Sequence, residues 1–102
     1  MNFNSLLKQA QQMQKQVNKV KKSLDDKEYD FASQENIIIG KIKGNLDITE
    51  IHIDPKMMNN EHQEEVEDLL IVTLNQKIQE IQKEREDTLN KVTNGIDVSA
   101  FL

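Results

Sequence analysis

The sequence predicts an α+β domain in the order helix, three antiparallel strands, helix. Three observations carry this. Apolar residues recur at heptad spacing from Phe3 to Leu24. Between Tyr29 and Ile53 the period falls to two and isoleucine dominates. From Val66 to Val92 a helical period returns. The connections are short, so consecutive strands should be neighbours. A sheet with one face to bury needs a cover, and the last helix is placed to supply it. At 102 residues the chain reads as a single domain over 1–102.

The first helix rests on Phe3, Leu6, Ala10, Met13, Val17, Val20 and Leu24, whose spacing alternates between three and four. That is an a/d seam held for three heptads. No glycine or proline interrupts it, and most other positions are Gln or Lys, which favour helix. Asn4 or Ser5 suits its cap. A seam this narrow fits a partner helix better than a ligand. The pattern leaves open whether that helix belongs to the same chain or to a second subunit.

Tyr29 and Phe31 alternate with polar neighbours and read as a first strand. Residues 33–36 read as a turn. Ile37 to Lys43 is β-branched and reads as the second strand. Gly44-Asn45 is a two-residue hairpin signal. In the third strand Leu46 and Ile48 keep one parity and Ile51 and Ile53 the other, so an extra residue at Thr49-Glu50 predicts a bulge. Asp54-Pro55 ends the sheet, because proline cannot donate to the ladder.

The second helix is predicted from about Glu61. Acids crowd its first turns (Glu61, Glu64, Glu65, Glu67, Asp68), where they complement the helix dipole. Its apolar face runs Val66, Leu69, Leu70, Leu74, Ile78, Ile81, Leu89 and Val92. Arg85 interrupts that stripe, and residues 82–88 hold no apolar side chain, so this stretch is expected to project into solvent. Asn94-Gly95 is a C-cap signal. The tail Ile96–Leu102 is apolar enough to dock.

Composition narrows the function. With 36% apolar and 4% aromatic residues, the core of one small chain would be thin, and burial should be completed at an oligomer interface. There are no cysteines, which excludes disulfides, thiol nucleophiles and cysteine metal sites. No apolar run approaches a membrane span of about 18–20 residues. The amino terminus lacks the apolar core of a secretory signal, so a soluble cytoplasmic protein without membrane partners is expected. No positioned set of acids, bases or nucleophiles stands out, so neither an enzyme, a small-molecule substrate nor a cofactor is expected. Glu50, His52 and Asp54 alternate as a carboxylate–histidine metal site would, but a solvated polar strand face explains them as well. His62 beside Glu61 and Glu65 has an ordinary helix-start explanation.

Charge is the informative feature. The net charge is −5, yet residues 1–24 hold five lysines and no acid. Residues 61–102 hold four basic and ten acidic residues. With Phe3 at heptad position a, Lys8, Lys15 and Lys22 fall at f, opposite the seam, with Lys19 beside them. Lys8 and Lys22 lie about 21 Å apart along the axis. Such a ridge can track phosphates, and Gln9, Gln12 and Gln16 can hydrogen-bond phosphates or base edges. Lysines opposite a seam are also the ordinary solvated face of an amphipathic helix. A face kept for solubility usually mixes signs and uses i,i+4 Glu–Lys pairs, and this one has none.

These pieces together resemble the YbaB/EbfC family of bacterial nucleoid-associated proteins. The resemblance covers about Leu6 to Gly95. It is carried by Leu7-Lys8-Gln9-Ala10-Gln11-Gln12-Met13-Gln14, Lys43-Gly44, Ile51-His52-Ile53-Asp54-Pro55, Glu67-Asp68-Leu69-Leu70, Leu74-Asn75 and Val92-Thr93-Asn94-Gly95. It implies an α-β-β-β-α protomer with a three-stranded antiparallel sheet, a tweezer-like homodimer, and double-stranded DNA as the partner on the bacterial nucleoid. Carried onto this chain, DNA contact falls to Lys8, Lys15, Lys19 and Lys22, with Arg85 and Lys91 as weaker candidates among acids. The chain departs from the family at Ser33-Gln34-Glu35-Asn36, where relatives often have glycines, and at its end, which lacks a common Pro-Gly element. The rival reading is a coiled-coil-arm interaction module or chaperone resembling prefoldin.

Overall fold

A computed structural model describes residues 2–93. Helix α1 spans Phe3–Asp26, strands β1, β2 and β3 span Glu28–Ala32, Ile38–Lys43 and Ile48–Ile53, and helix α2 spans Gln63–Val92. The α+β order and the antiparallel sheet β1-β2-β3 are those the sequence predicts. The molecule is a rod with extents of 70 × 19 × 17 Å.

Two cores explain the elongation. One face of the sheet packs on the first two-thirds of α2 through Phe31, Ile37, Ile38, Ile42, Val66 and Ile81. Beyond the sheet, α2 runs against α1 through Val17, Leu24 and Leu89. The strand face follows the pleat: Ile38, Gly40 and Ile42 turn inward, while Ile39 and Lys41 alternate onto the open face.

Between the cores the structure corrects an expectation. Residues 82–88 do not simply project into solvent. Arg85 Nη1 donates to Asp25 Oδ1 at 2.7 Å. Glu84 accepts from Tyr29 Oη at 2.8 Å and pairs with Lys27. The apolar stripe breaks because α2 there passes the α1–β1 corner, and the polar side chains clamp that corner.

Smaller differences have local causes. Asn2, rather than Asn4 or Ser5, caps α1, accepting from Ser5 N at 2.8 Å. The β2–β3 loop is one residue longer than the two-residue turn predicted. Lys43 O accepts from Leu46 N at 2.8 Å, and Leu46 takes a positive φ of 74° before Asp47 rejoins the ladder. The predicted bulge is present: Lys41 pairs with Glu50 and Ile42 with Ile48, so Thr49 is the extra residue. Two 3-10 turns, Pro55–Met57 and Asn60–His62, precede α2. The predicted Asn94-Gly95 cap and the Ile96–Leu102 tail lie outside the described residues. Thr93 closes the described helix, donating from Oγ1 to Leu89 O at 3.1 Å.

Candidate nucleic-acid interface

The α1 sequence dictates a helix with one apolar edge, and that edge turns toward α2 only along its second half. Val17 and Leu24 are buried, with Met13 and Val20 packed beside them. Because α2 ends at Val92 against this stretch, the first turns of α1 extend past it as an arm. Phe3, Leu6 and Leu7 there remain 75%, 46–47% exposed.

On the opposite edge Lys8, Lys15, Lys19 and Lys22 are all exposed. At 100° per residue they fall within an arc of about 60°, centred roughly 180° from Val17 and Leu24. Lys15 and Lys19 border a shallow groove with Gln16, Val20 and Ser23. Lys21 lies nearer the seam and is half-buried.

The electrostatic contrast with the rest of the chain is sharp. Among the described residues, Lys27, Lys41, Lys77, Lys83 and Arg85 each pair with a carboxylate. No α1 lysine does, because α1 offers no acid before Asp25. Lys15–Lys19 and Lys19–Lys22 are instead like-charge neighbours on one helix face, an arrangement that costs a few tenths of a kcal/mol per pair. Among the described residues this helix face therefore carries uncompensated positive charge.

The weaker sequence candidates divide. Lys91 is exposed near the end of α2. Arg85 is committed to Asp25 and its side chain is only 27% exposed. Glu64, Glu65, Glu67 and Asp68 are exposed around the first turns of α2, away from the lysine ridge, so phosphate is repelled from that end of the rod. Sequence reasoning missed the polar clamp. Its signal was present in Arg85 and Glu84 breaking an otherwise regular apolar stripe.

The three polar residues that alternate at the end of the sheet separate in the structure. His52 and Glu50 share the open face of β3, 3.8 Å apart and both exposed, while Asp54 turns back to accept from Lys56 N at 3.0 Å. Among the described residues no group of three or more His, Asp or Glu could hold a metal ion, and no helix is long and apolar enough to cross a membrane.

The clamp groups have shifted titrations. The hydrogen bond from Lys27, then that from Tyr29, holds the Glu84 carboxyl below its ordinary value. The Glu84 contact raises Lys27. Burial first, then the bond to Glu84, raises Tyr29.

Comparison with known proteins places this geometry. The model of the YbaB/EbfC DNA-binding family matches residues 1–96. A nucleoid-associated protein of Clostridium novyi is 32% identical over 98 residues, covering 96% of this chain and 86% of the relative. One from Clostridium acetobutylicum is 29% identical over 97 residues, covering 95% and 87%. In fold the chain resembles the crystal structure of an uncharacterized protein from Helicobacter pylori. That likeness has a TM-score of 0.79 at 17% identity, over 91% of this chain and 98% of the other.

Proposed function

The chain belongs to the YbaB/EbfC DNA-binding family, and from that premise we propose that it is a non-catalytic, nucleoid-associated protein of the bacterial cytoplasm that binds duplex DNA as a homodimer through the lysine ridge of α1. The observation that carries the reading is the row Lys8, Lys15, Lys19 and Lys22, exposed and without a carboxylate partner among the described residues. Each lysine that meets a phosphate releases counterions, which gives affinity without sequence information. The 24 residues of α1 extend about 36 Å, close to one turn of B-DNA. A dimer would lay two such ridges on one duplex, and a gene-regulatory role would follow from that occupancy. Lys91 is placed to add a contact. Arg85 would first have to leave Asp25, so it contributes least.

Amine-reactive footprinting tests the assignment. Labelling the protein with and without a duplex, then reading each lysine by mass spectrometry, should give protection at Lys8, Lys15, Lys19 and Lys22. Lys43 and Lys56, without a carboxylate partner among the described residues but on the sheet side, should label equally in both. Equal labelling of the α1 lysines with bound DNA would remove the ridge from the interface.

The exposed arm tip supports a second reading, in which Phe3, Leu6 and Leu7 grip an apolar protein segment. That reading requires partner binding to be insensitive to salt and to be lost in Phe3→Ser/Leu6→Ser.

A further inference from the structure

Between the first turns of α2 and the end of β1, at Ala32 and Ser33, runs a groove of about 760 Å³. Its floor is apolar, with Leu69 and Val72, the latter 51% exposed. Its rim is acidic, with Glu64, Glu65 and Asp68 all exposed. Among the described residues no lysine or arginine pairs with these carboxylates, and only His62 approaches, 3.4 Å from Glu65. Thr73 also lines the groove and is 6% exposed. Its hydroxyl has no hydrogen-bond partner among the described residues, where no fully buried side-chain oxygen is left unsatisfied, so that hydroxyl opens onto the groove. A polar group so far removed from water favours a ligand that completes its hydrogen bond.

We propose that this groove receives the amino-terminal arm of α1 from a second copy, joining copies head to tail. The arm has the complementary chemistry. Phe3, Leu6 and Leu7 form an apolar tip with no cover among the described residues. Residues 1–24 hold no acid, so the first turn of α1 leaves the positive end of its dipole uncompensated. The groove offers what the tip lacks, an apolar floor and a rim of carboxylates. Asn4, exposed and one turn before Leu7, carries an amide that suits the Thr73 hydroxyl. A helix laid by its apolar edge into a groove is a recurring mode of recognition. The tip cannot reach the groove of its own chain. Glu65 and Val92 stand about 40 Å apart along α2, and the arm runs onward past Val92. The contact therefore joins two copies through unlike surfaces. Each joined copy keeps one free arm or one free groove, so the chain can grow.

Docking in this way leaves the lysine ridge outward. Phe3, Leu6 and Leu7 lie on one edge of α1, and Lys8, Lys15, Lys19 and Lys22 lie on the other. The field of the ridge draws the arm toward the acidic rim, while the ammonium groups themselves stay in solvent. The contact does not depend on DNA and forms in its absence. Three apolar side chains make a small interface, under about 1,200 Å² in total, which is the class of transient encounters.

The test uses the full chain, which has no cysteine of its own. Leu6 and Val72 are 47% and 51% exposed, so cysteines there leave both cores intact. The L6C/V72C variant, treated with a short bifunctional maleimide, should give a ladder of covalent dimers, trimers and longer species. Adding E65K/D68K sets positive charge against the arm and should reduce the ladder about tenfold, with circular dichroism unchanged. L6C mixed with isotopically heavy V72C should give the mixed product in excess over links between like variants, read by mass spectrometry. If the charge variant loses its fold, this mixed product decides. A ladder that stops at the dimer overturns the head-to-tail order. Tip-to-tip links as abundant as mixed ones, or a ladder unchanged by E65K/D68K in a folded protein, overturn the groove as the receiving site. No linked species at all overturns the second copy as its occupant.

Discussion

Gly44 shows how one residue sets the angle of the arm. A Cβ there would lie 1.7 Å from the Leu24 carbonyl oxygen and 2.8 Å from its carbon. The turn before β3 therefore packs directly under the end of α1, where Gly44 N donates to Lys27 O at 2.8 Å and Asn45 N to Asp25 O at 3.2 Å. Gly44→Ala has only backbone to push against, and the expected loss is about 2 kcal/mol or more in urea unfolding. A loss below about 0.5 kcal/mol would mean that the close approach relaxes freely. Glu35 is the converse case. Its φ of 59° and that of Asn36, 56°, hold L-residues in the left-handed region. Glycine would adopt this conformation without that strain. Glu35→Gly should be neutral to stabilising, by up to about 1 kcal/mol, because relieved strain opposes the entropy glycine adds to the unfolded chain. A loss exceeding about 1 kcal/mol would point to a side-chain role for Glu35 instead.

At the scale of elements, the α1–α2 clamp links the fold to pH. Glu84 has a folded-state titration below its ordinary value. Its contribution is therefore present above the unfolded carboxyl range and is lost as pH falls through the lower folded value. Lys27 and Tyr29 are raised, so their contributions hold below their ordinary values and fade on the alkaline side. Glu84→Gln should flatten the acid limb of a stability–pH curve while leaving the shape near neutrality unchanged. An acid limb identical to wild type would take the clamp out of the account. The helix itself needs this support. α1 has no acid in its first turn and no base in its last, and it ends on Asp25-Asp26 against its own dipole.

Legibility followed the same division of elements. The heptad, the alternation of Tyr29 and Phe31, and the parity slip at Thr49 each express one chain's local period, and the structure has all three. The break in the stripe at Arg85 marked where the clamp lies, but its partners were not legible, because they stand 55 to 60 positions away and polar side chains carry no period to announce a tertiary partner. The short-range caps failed by a residue or two for a related reason. Asn2, Asn4 and Ser5 are all competent caps, and packing chooses among them. Of the candidate interface, sequence supplied the four α1 lysines and their shared face. It gave no signal that Arg85 would be taken by Asp25.

As a whole molecule, the rod separates its charges lengthwise. The arm is basic, while the sheet and the start of α2 carry the acids that make the net charge −5. Such a dipolar shape lets an acidic protein approach DNA by one end, because screening confines each field to about 8 Å at physiological salt. The most direct test of this account is the salt dependence of duplex binding, followed by fluorescence anisotropy, for wild type and for Lys8→Gln/Lys15→Gln/Lys22→Gln. Four phosphates neutralised on each of two arms predict a log–log slope of about −7. One lysine left on each arm predicts about −2, with weaker binding throughout. Equal slopes for the two proteins, or a wild type that does not bind at low salt, would contradict the central claim that the α1 ridge is the surface that meets DNA.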